Sequence, residues 1–344
     1  MTDSSAFERP EPVVESCGCD RPLRRVCELC RGSRYVFATC TNACLEAHQS
    51  KVHGETGARS TERRLRDALR AANRRDPGNW ERYSDHRRRV LDGMGADGYG
   101  DDIAVFGAGA CADVDLDHLC ENFERVHLID LDGEVIERAR DRLPLAARQR
   151  TVLHGDIDLS GFLDRIDAWG EGFPAAPELG ALGVAAAQGI AARLGGPFRR
   201  TLSTCVLSQL IVPYQRTLIT SGHDWEQLGD ALVAVHLITL ALTTRAGGAC
   251  FMAFDVLSSD AAPSLREFRG ELTAEQVRQS LAQASSAGVE PTPDPAALVA
   301  LLSAPVLAAA VTSPRLSSPW LWEIAADSVQ LVYGLSFARR GKTS

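Results

Sequence analysis

Six of the chain's ten cysteines fall within its first 44 residues, and two histidines follow at once. The run reads Cys17-x-Cys19, Cys27-x-x-Cys30, Cys40-x-x-x-Cys44, then His48 and His53. A closed structural zinc site takes four Cys or His ligands in a tetrahedron, so eight such side chains suit two ions. The segment has almost no aliphatic core; Val26, Leu29, Tyr35, Val36, Phe37 and Leu45 are most of it. Metal binding must then supply most of its folding free energy. The alternative, a disulfide knot, needs an oxidising compartment. Residues Met1 to Glu15 are polar and acidic and carry Pro10 and Pro12, which is no secretion signal. Residues 1–14 read as a disordered N-terminus and 15–55 as the zinc module.

Pairing the first and third ligand pairs (Cys17, Cys19, Cys40, Cys44) and the second and fourth (Cys27, Cys30, His48, His53) interleaves two sites. That arrangement resembles the treble or cross-brace fingers of MYND and HIT type, whose closing ligands lie on a short helix. Thr41 to Lys51 is the matching stretch, with Cys44 and His48 at i and i+4. The first pair is CxC and the last ligand is His53, both departures from that pattern, and a sequential pairing stays open. Fingers of this kind mostly bind proteins, so the resemblance implies a protein partner.

The remaining length, within 344 residues, suits one α/β domain. Residues 1–95 carry 18 Arg or Lys against 14 Asp or Glu, a balance of +4, so the rest must be −12 to give the overall −8. An acidic main domain argues against a nucleic-acid backbone as partner. Only two lysines, Lys51 and Lys342, stand among the 37 basic residues, a skew that fits a GC-rich bacterial genome. The most apolar stretches, Ala231 to Thr243 and Ala296 to Val311, fall short of the ~20 residues of a membrane span and read as buried helices. Cys111, Cys120, Cys205 and Cys250 lack metal spacing and read as small buried hydrophobes. A reduced, cytoplasmic protein is expected.

Residues 56–100 read as a helical linker or lid. Thr61 to Arg75 places Leu65, Leu69 and Ala72 on one face, and Asp76-Pro77-Gly78-Asn79 is a turn. A second helix is expected from Trp80 to Met94, followed by a boundary rich in glycine.

From residue 101 the pattern changes to strand and helix units. Ile103 to Phe106 is a short buried strand that runs into Gly107-Ala108-Gly109 and then Asp113. A strand followed by GxG and a helix brings backbone N–H groups close to a ligand. Val126 to Asp130 is a second strand ending in an acid, about 20 residues after the glycines, where an acid suits a ribose diol. Thr151 to Asp156 repeats the design. Later strands are expected at Thr201 to Thr204, Ala249 to Asp255 and Val329 to Phe337. Helices are expected at Ser264 to Ser285 and Pro295 to Val311.

The stretches FGAGACADVDL, LIDLD, HGDID and STCVLSQL resemble, in order and spacing, the motifs of class I S-adenosylmethionine-dependent methyltransferases. The resemblance covers about Asp102 to Asp255 plus the terminal strand. It implies an α/β fold with a Rossmann-like seven-stranded sheet over 101–344, the seventh strand inserted antiparallel, beside the small N-terminal zinc module. It also implies S-adenosylmethionine as cofactor. Gly107, Ala108 and Gly109 would approach it by backbone, Asp130 and Leu131 would meet the ribose, and Asp156 and Ile157 the adenine. Asp113, Thr204 and Cys205 would line the methionine and acceptor side. The acid often found two residues before the first glycine is here Val105, so Asp113 is the candidate in its place. The competing role for Asp130 and Asp156 is helix capping at strand ends.

No Asn-Pro-Pro-Tyr follows the fourth strand, and no catalytic base is assigned. Acceptor-side candidates are Tyr214, His223, Asp224 and Asp255. Trp320 and Trp322 read as core in preference to a substrate wall. Three functions stay open: a finger-recruited methyltransferase, a small-molecule methyltransferase with a structural finger, and a cofactor-binding protein without turnover or an NAD enzyme.

Overall fold

Short runs of β-branched and apolar residues set the strands of the computed structural model. It describes residues 13–16, 25–26, 35–39, 44, 61–73, 80–95, 99–169, 173–219, 226–289 and 293–341. Two units divide the chain, 1–64 and 65–344.

In the first unit β1 (Val13–Ser16) and β2 (Arg25–Val26) flank β3 (Tyr35–Thr39), parallel and antiparallel to it respectively. Val13 and Val14, assigned above to a disordered N-terminus, thus belong to a strand, opposite Tyr35 and Val36; β-branched residues suit that pairing. Of the eight expected zinc ligands only Cys44 is described, as a half-buried residue. Cys17, Cys19, Cys27, Cys30, Cys40, His48 and His53 lie outside the described residues. Among the described residues no three metal-ligating side chains come together.

The second unit holds an eight-stranded sheet. Its strands are β4 (Asp102–Phe106), β5 (Arg125–Ile129), β6 (Thr151–His154), β7 (Phe198–Thr204), β8 (Thr244–Ser258), β9 (Val311–Leu316), β10 (Trp320–Ala325) and β11 (Ser328–Arg339). They run in the order β6-β5-β4-β7-β8-β11-β10, with β9 also on β11. The first five are parallel, and β11 enters antiparallel beside β8. This is the arrangement expected of a methyltransferase-like sheet, except that eight strands replace seven. The extra strand comes from a break. Leu316 of β9 faces Leu335 and Trp320 of β10 faces Val332, so four steps on one side meet three on β11. One residue bulges out, and Ser317 closes the gap with bonds of 2.8 Å to and from the Gly334 backbone. Pro319, which has no amide, follows at the break. β9 and β10 thus share the seventh position, beside β11.

Alternate residues of β4 face two cores. Ala104 and Phe106 join the layer of helices Ala176–Arg193, Val206–Ile219 and Glu226–Thr243. Ile103 and Val105 join helices Ser84–Met94, Leu116–Asn122 and Gly133–Asp141. Leu65 and Leu69 of helix Thr61–Asn73 belong to the first core, and Tyr83, Val90 and Met94 to the second. Cys111, Cys120, Cys205 and Cys250 are all buried, as are Trp320 and Trp322. The two indoles enclose His86: Trp322 stacks on it at 4.3 Å, and the Trp320 indole N–H donates to its Nδ1 at 3.2 Å.

Two expected helices are shorter than their apolar patterns. Ser264 to Ser285 opens with a short 3-10 turn, Pro263–Arg266, and is α-helical only from Ala274, where Thr273 and Gln276 form a capping box. The helix expected to reach Val311 stops by Ala308, because Val311 already pairs with Arg339. No helix among the described residues is long and apolar enough to cross a membrane.

Candidate functional site

Strands β4 to β7 all end at one edge of the sheet. From β4 the chain turns to the face of helix Leu116–Asn122, and from β7 to the opposite face, into helix Val206–Ile219. A crevice forms where neighbouring parallel strands part in this way, and ligands of open α/β sheets bind there. All ten expected cofactor-binding residues lie at this edge.

The β4 loop is set by its glycines, with φ of 65° at Gly107 and 48° at Gly109. The Gly107 and Ala108 amides donate to the Ile129 carbonyl at 2.8 and 3.1 Å, and the Gly109 amide to Asp130 Oδ2 at 2.9 Å. A side chain at Gly107 would put its Cβ 2.3 Å from Val206 Cγ2, so the loop lies against the start of the next helix. Asp130 is 2 % exposed and accepts a second amide bond, from Asp132, at 2.8 Å. Burial pushes its carboxyl up to about 6, while the Asp132 and Gly109 amides favour the ionised form. Helix capping, the competing role for Asp130, falls instead to Asp132, whose carboxylate accepts from the Val135 amide at 3.4 Å.

Asp156 is quite different. It is exposed, sits at φ 54°, and pairs with Arg70 at 3.2 Å. The neighbouring Ile157 amide is already used, donating to the Asp130 carbonyl at 3.1 Å. Gly155 approaches Gly133 so closely that a Cβ there would stand 2.9 Å from the Gly133 Cα.

On the other side of the loop, burial raises the Asp113 carboxyl to about 6. Cys205 sits at φ 51°, its amide bonded to Ala253 O at 2.8 Å, and burial pushes its thiol well up. Ser208 donates to Asp255 Oδ1 at 2.7 Å, which puts Asp255 at this edge. Tyr214 does not reach it; its hydroxyl is buried against Ser160 at 2.7 Å. His223 and Asp224 lie outside the described residues.

The expected S-adenosylmethionine would meet a buried acid at the end of β5 and apolar Leu131 and Ile157 here, while the Gly107, Ala108 and Gly109 amides are already engaged within the protein. The space is closed. A cavity of about 30 Å³ remains, lined by Leu69, Asp130, Leu131, Ile157, Asp158, Leu159, Val206, Gln209 and Leu210. Small-molecule pockets run to roughly 300–1,000 Å³. Leu69, Asp158 and Leu159 are additions to the expected set, while Val206, Gln209 and Leu210 lie in the STCVLSQL stretch. Leu69 was visible as part of a helical stripe, but which surface that stripe would cover was not. Asp158 lies two residues beyond the Asp156 motif and is held by Ser160 and the Leu163 amide.

No protein-family model matches the chain, and no curated protein matches it. Solved structures do. One is the N-methyltransferase NodS from Bradyrhizobium japonicum, at 12% identity over 76% of this chain and 97% of that one, with a TM-score of 0.35. The glycopeptide N-methyltransferase MtfA complexed with sinefungin aligns at 9% identity over 74% and 93%, TM-score 0.36. A SAM-dependent methyltransferase from Anabaena variabilis aligns at 12% over 70% and 77%, TM-score 0.35. The likeness is loose, and the strand order is what defines the fold.

Proposed function

We propose that the second unit binds S-adenosylmethionine at the ends of β4 to β7 and transfers its methyl group to an acceptor, while the N-terminal Cys/His segment holds two zinc ions and recruits a protein partner. The observation that carries the proposal is the tie between the glycine loop and the buried acid, Gly109 N–H to Asp130 at 2.9 Å. That bond joins the two strands between which a nucleoside cofactor is expected to lie.

When bound, the sulfonium supplies an electrophilic methyl group, so the protein's task is to bind, orient and exclude water. Gly107 and Gly109 keep the loop free of side chains where the ligand approaches. Asp130 and Asp156 offer acceptors for ribose and adenine, with Leu131 and Ile157 as apolar walls. Asp113, Thr204 and Cys205 face the acceptor side, beside the Ser208–Asp255 pair, which positions a carboxylate there. The zinc ligands form closed sets, leaving no position for water or substrate, so the finger's role is recruitment.

Calorimetric titration of the purified chain with S-adenosylmethionine, and in parallel with NAD, tests the cofactor. Binding of the first alone is expected; binding of NAD alone would replace this reading with a dinucleotide enzyme. Elemental analysis after expression in zinc-replete medium is expected to give close to two zincs per chain, and one or none removes the two-site module.

A further inference from the structure

We infer that the segment from Leu65 to Arg70 is a latched cover over the cofactor site, and that Arg70 and the bound cofactor compete for Asp156. The inference rests on the proposed cofactor reading. In the closed arrangement Leu69 is one wall of the small remaining cavity. Leu65, one turn before it, is buried with Leu69 in the core beneath. Two ion pairs fasten the same segment across the cleft, Arg70 to Asp156 at 3.2 Å and Arg66 to Asp164 at 3.5 Å.

The latch is built to release. Its acids are 73% and 90% exposed as side chains, so solvent and salt screen both pairs. Burial also leaves the Arg70 Nε–H without an acceptor among the described residues. Water would satisfy that donor once the segment lifts, so closure carries a built-in cost. Asp156 is the acid expected to meet the adenine, and the Arg70 guanidinium already occupies it. A ligand that needs this carboxylate must displace the arginine, and the same displacement unlocks Leu69.

Two measurements on the full chain test this. Stopped-flow mixing with S-adenosylmethionine should show association about two- to fivefold faster in Arg70→Ala than in wild type, the range an exposed ion pair allows. The ratio should approach one as ionic strength rises, and Arg70→Lys should behave like wild type. Hydrogen exchange without ligand should show the amides of residues 66–70 exchanging faster in Arg70→Ala by a similar factor. Arg66→Gln serves as the second variant, since it loosens the latch while leaving Leu65, Leu69 and Asp156 in place. Equal or slower association together with unchanged exchange in both variants would make the segment a fixed wall and overturn the inference. Faster exchange with no binding by any protein, wild type included, would instead overturn the cofactor reading and with it the competition.

Discussion

The ends of β5 and β6 are built from the same sequence device, a strand closed by an acid, yet the two acids do opposite jobs. Asp130 is buried and fixed by two backbone amides. Asp156, one strand over, is exposed and meets a single long side chain across the cleft. Depth in the sheet accounts for the difference. β5 is flanked by β4 and β6, so its end is enclosed by the glycine loop, whereas β6 is the edge strand and its end faces solvent. An acid enclosed by amides holds a frame; an acid in solvent is free to exchange partners.

The sharpest way to break this contrast is to remove each carboxylate. Asp130→Ala leaves two buried amide donors without acceptors, at roughly 1–3 kcal/mol each. Urea unfolding should therefore show a loss of about 2–6 kcal/mol, with cofactor binding lost as well. A loss below about 1 kcal/mol would mean that Asp130 does not hold the loop.

Acid titration comes next. His127 on β5 and His154 on β6 stack, their ring nitrogens 2.9 Å apart, with Asp102 and Arg125 beside His127. Burial, then the neighbouring His154, lowers His127 from 6.5 to about 4. The folded state thus binds a proton less readily than the unfolded one. Stability from this group is present above pH 6.5 and lost as the pH falls towards 4. His86 and His236, lowered by burial to about 3 and about 4, act on the same limb. Asp130, raised to about 6 from 3.8, acts against them between those values, since there the folded state holds the extra proton. Unfolding measured from pH 7 to 4 should show falling stability, and His127→Phe should flatten the slope by at most about 1.4 kcal/mol per pH unit. An unchanged slope would mean the pair does not set it. Cofactor affinity should also fall below pH 6, as Asp130 gains a proton and gives up acceptor capacity.

The smallest effect belongs to Asp156. Asp156→Gly removes an exposed ion pair but suits the left-handed backbone better, so stability should move by less than about 1 kcal/mol. Affinity should fall by about tenfold or less. A stability loss matching that of Asp130→Ala would erase the distinction between the two strand ends.

Much of this was legible in the residues. Short apolar runs predicted β4 to β7 in order, the first three followed by a glycine or an acid, and the final strand was visible at the far end of the chain. The break between β9 and β10 was not. Pro319 marks it in hindsight, but only the register against β11 shows the extra residue. At the site, the glycine loop and both acids could be named, yet their unlike fates could not, because burial depends on which strand ends up at the edge. The stripe Leu65 and Leu69 announced a packed face in a segment read as a linker or lid, without saying which of the two it would be. Arg70, one residue from that stripe, carries no mark in a chain so rich in arginine.

The contact between Gly155 and Gly133 works as a gauge block. The loops after β5 and β6 touch backbone to backbone, and this contact fixes the width of the slot between Asp130 and Asp156. A methyl group at 155 would have to push the Gly133 backbone away, since its carbon would lie 2.9 Å from that Cα. The slot would widen and the two acids would drift out of step, although neither had changed. In any set of variants selected for a working site, position 155 should therefore tolerate almost nothing, while the exposed Leu145 varies freely.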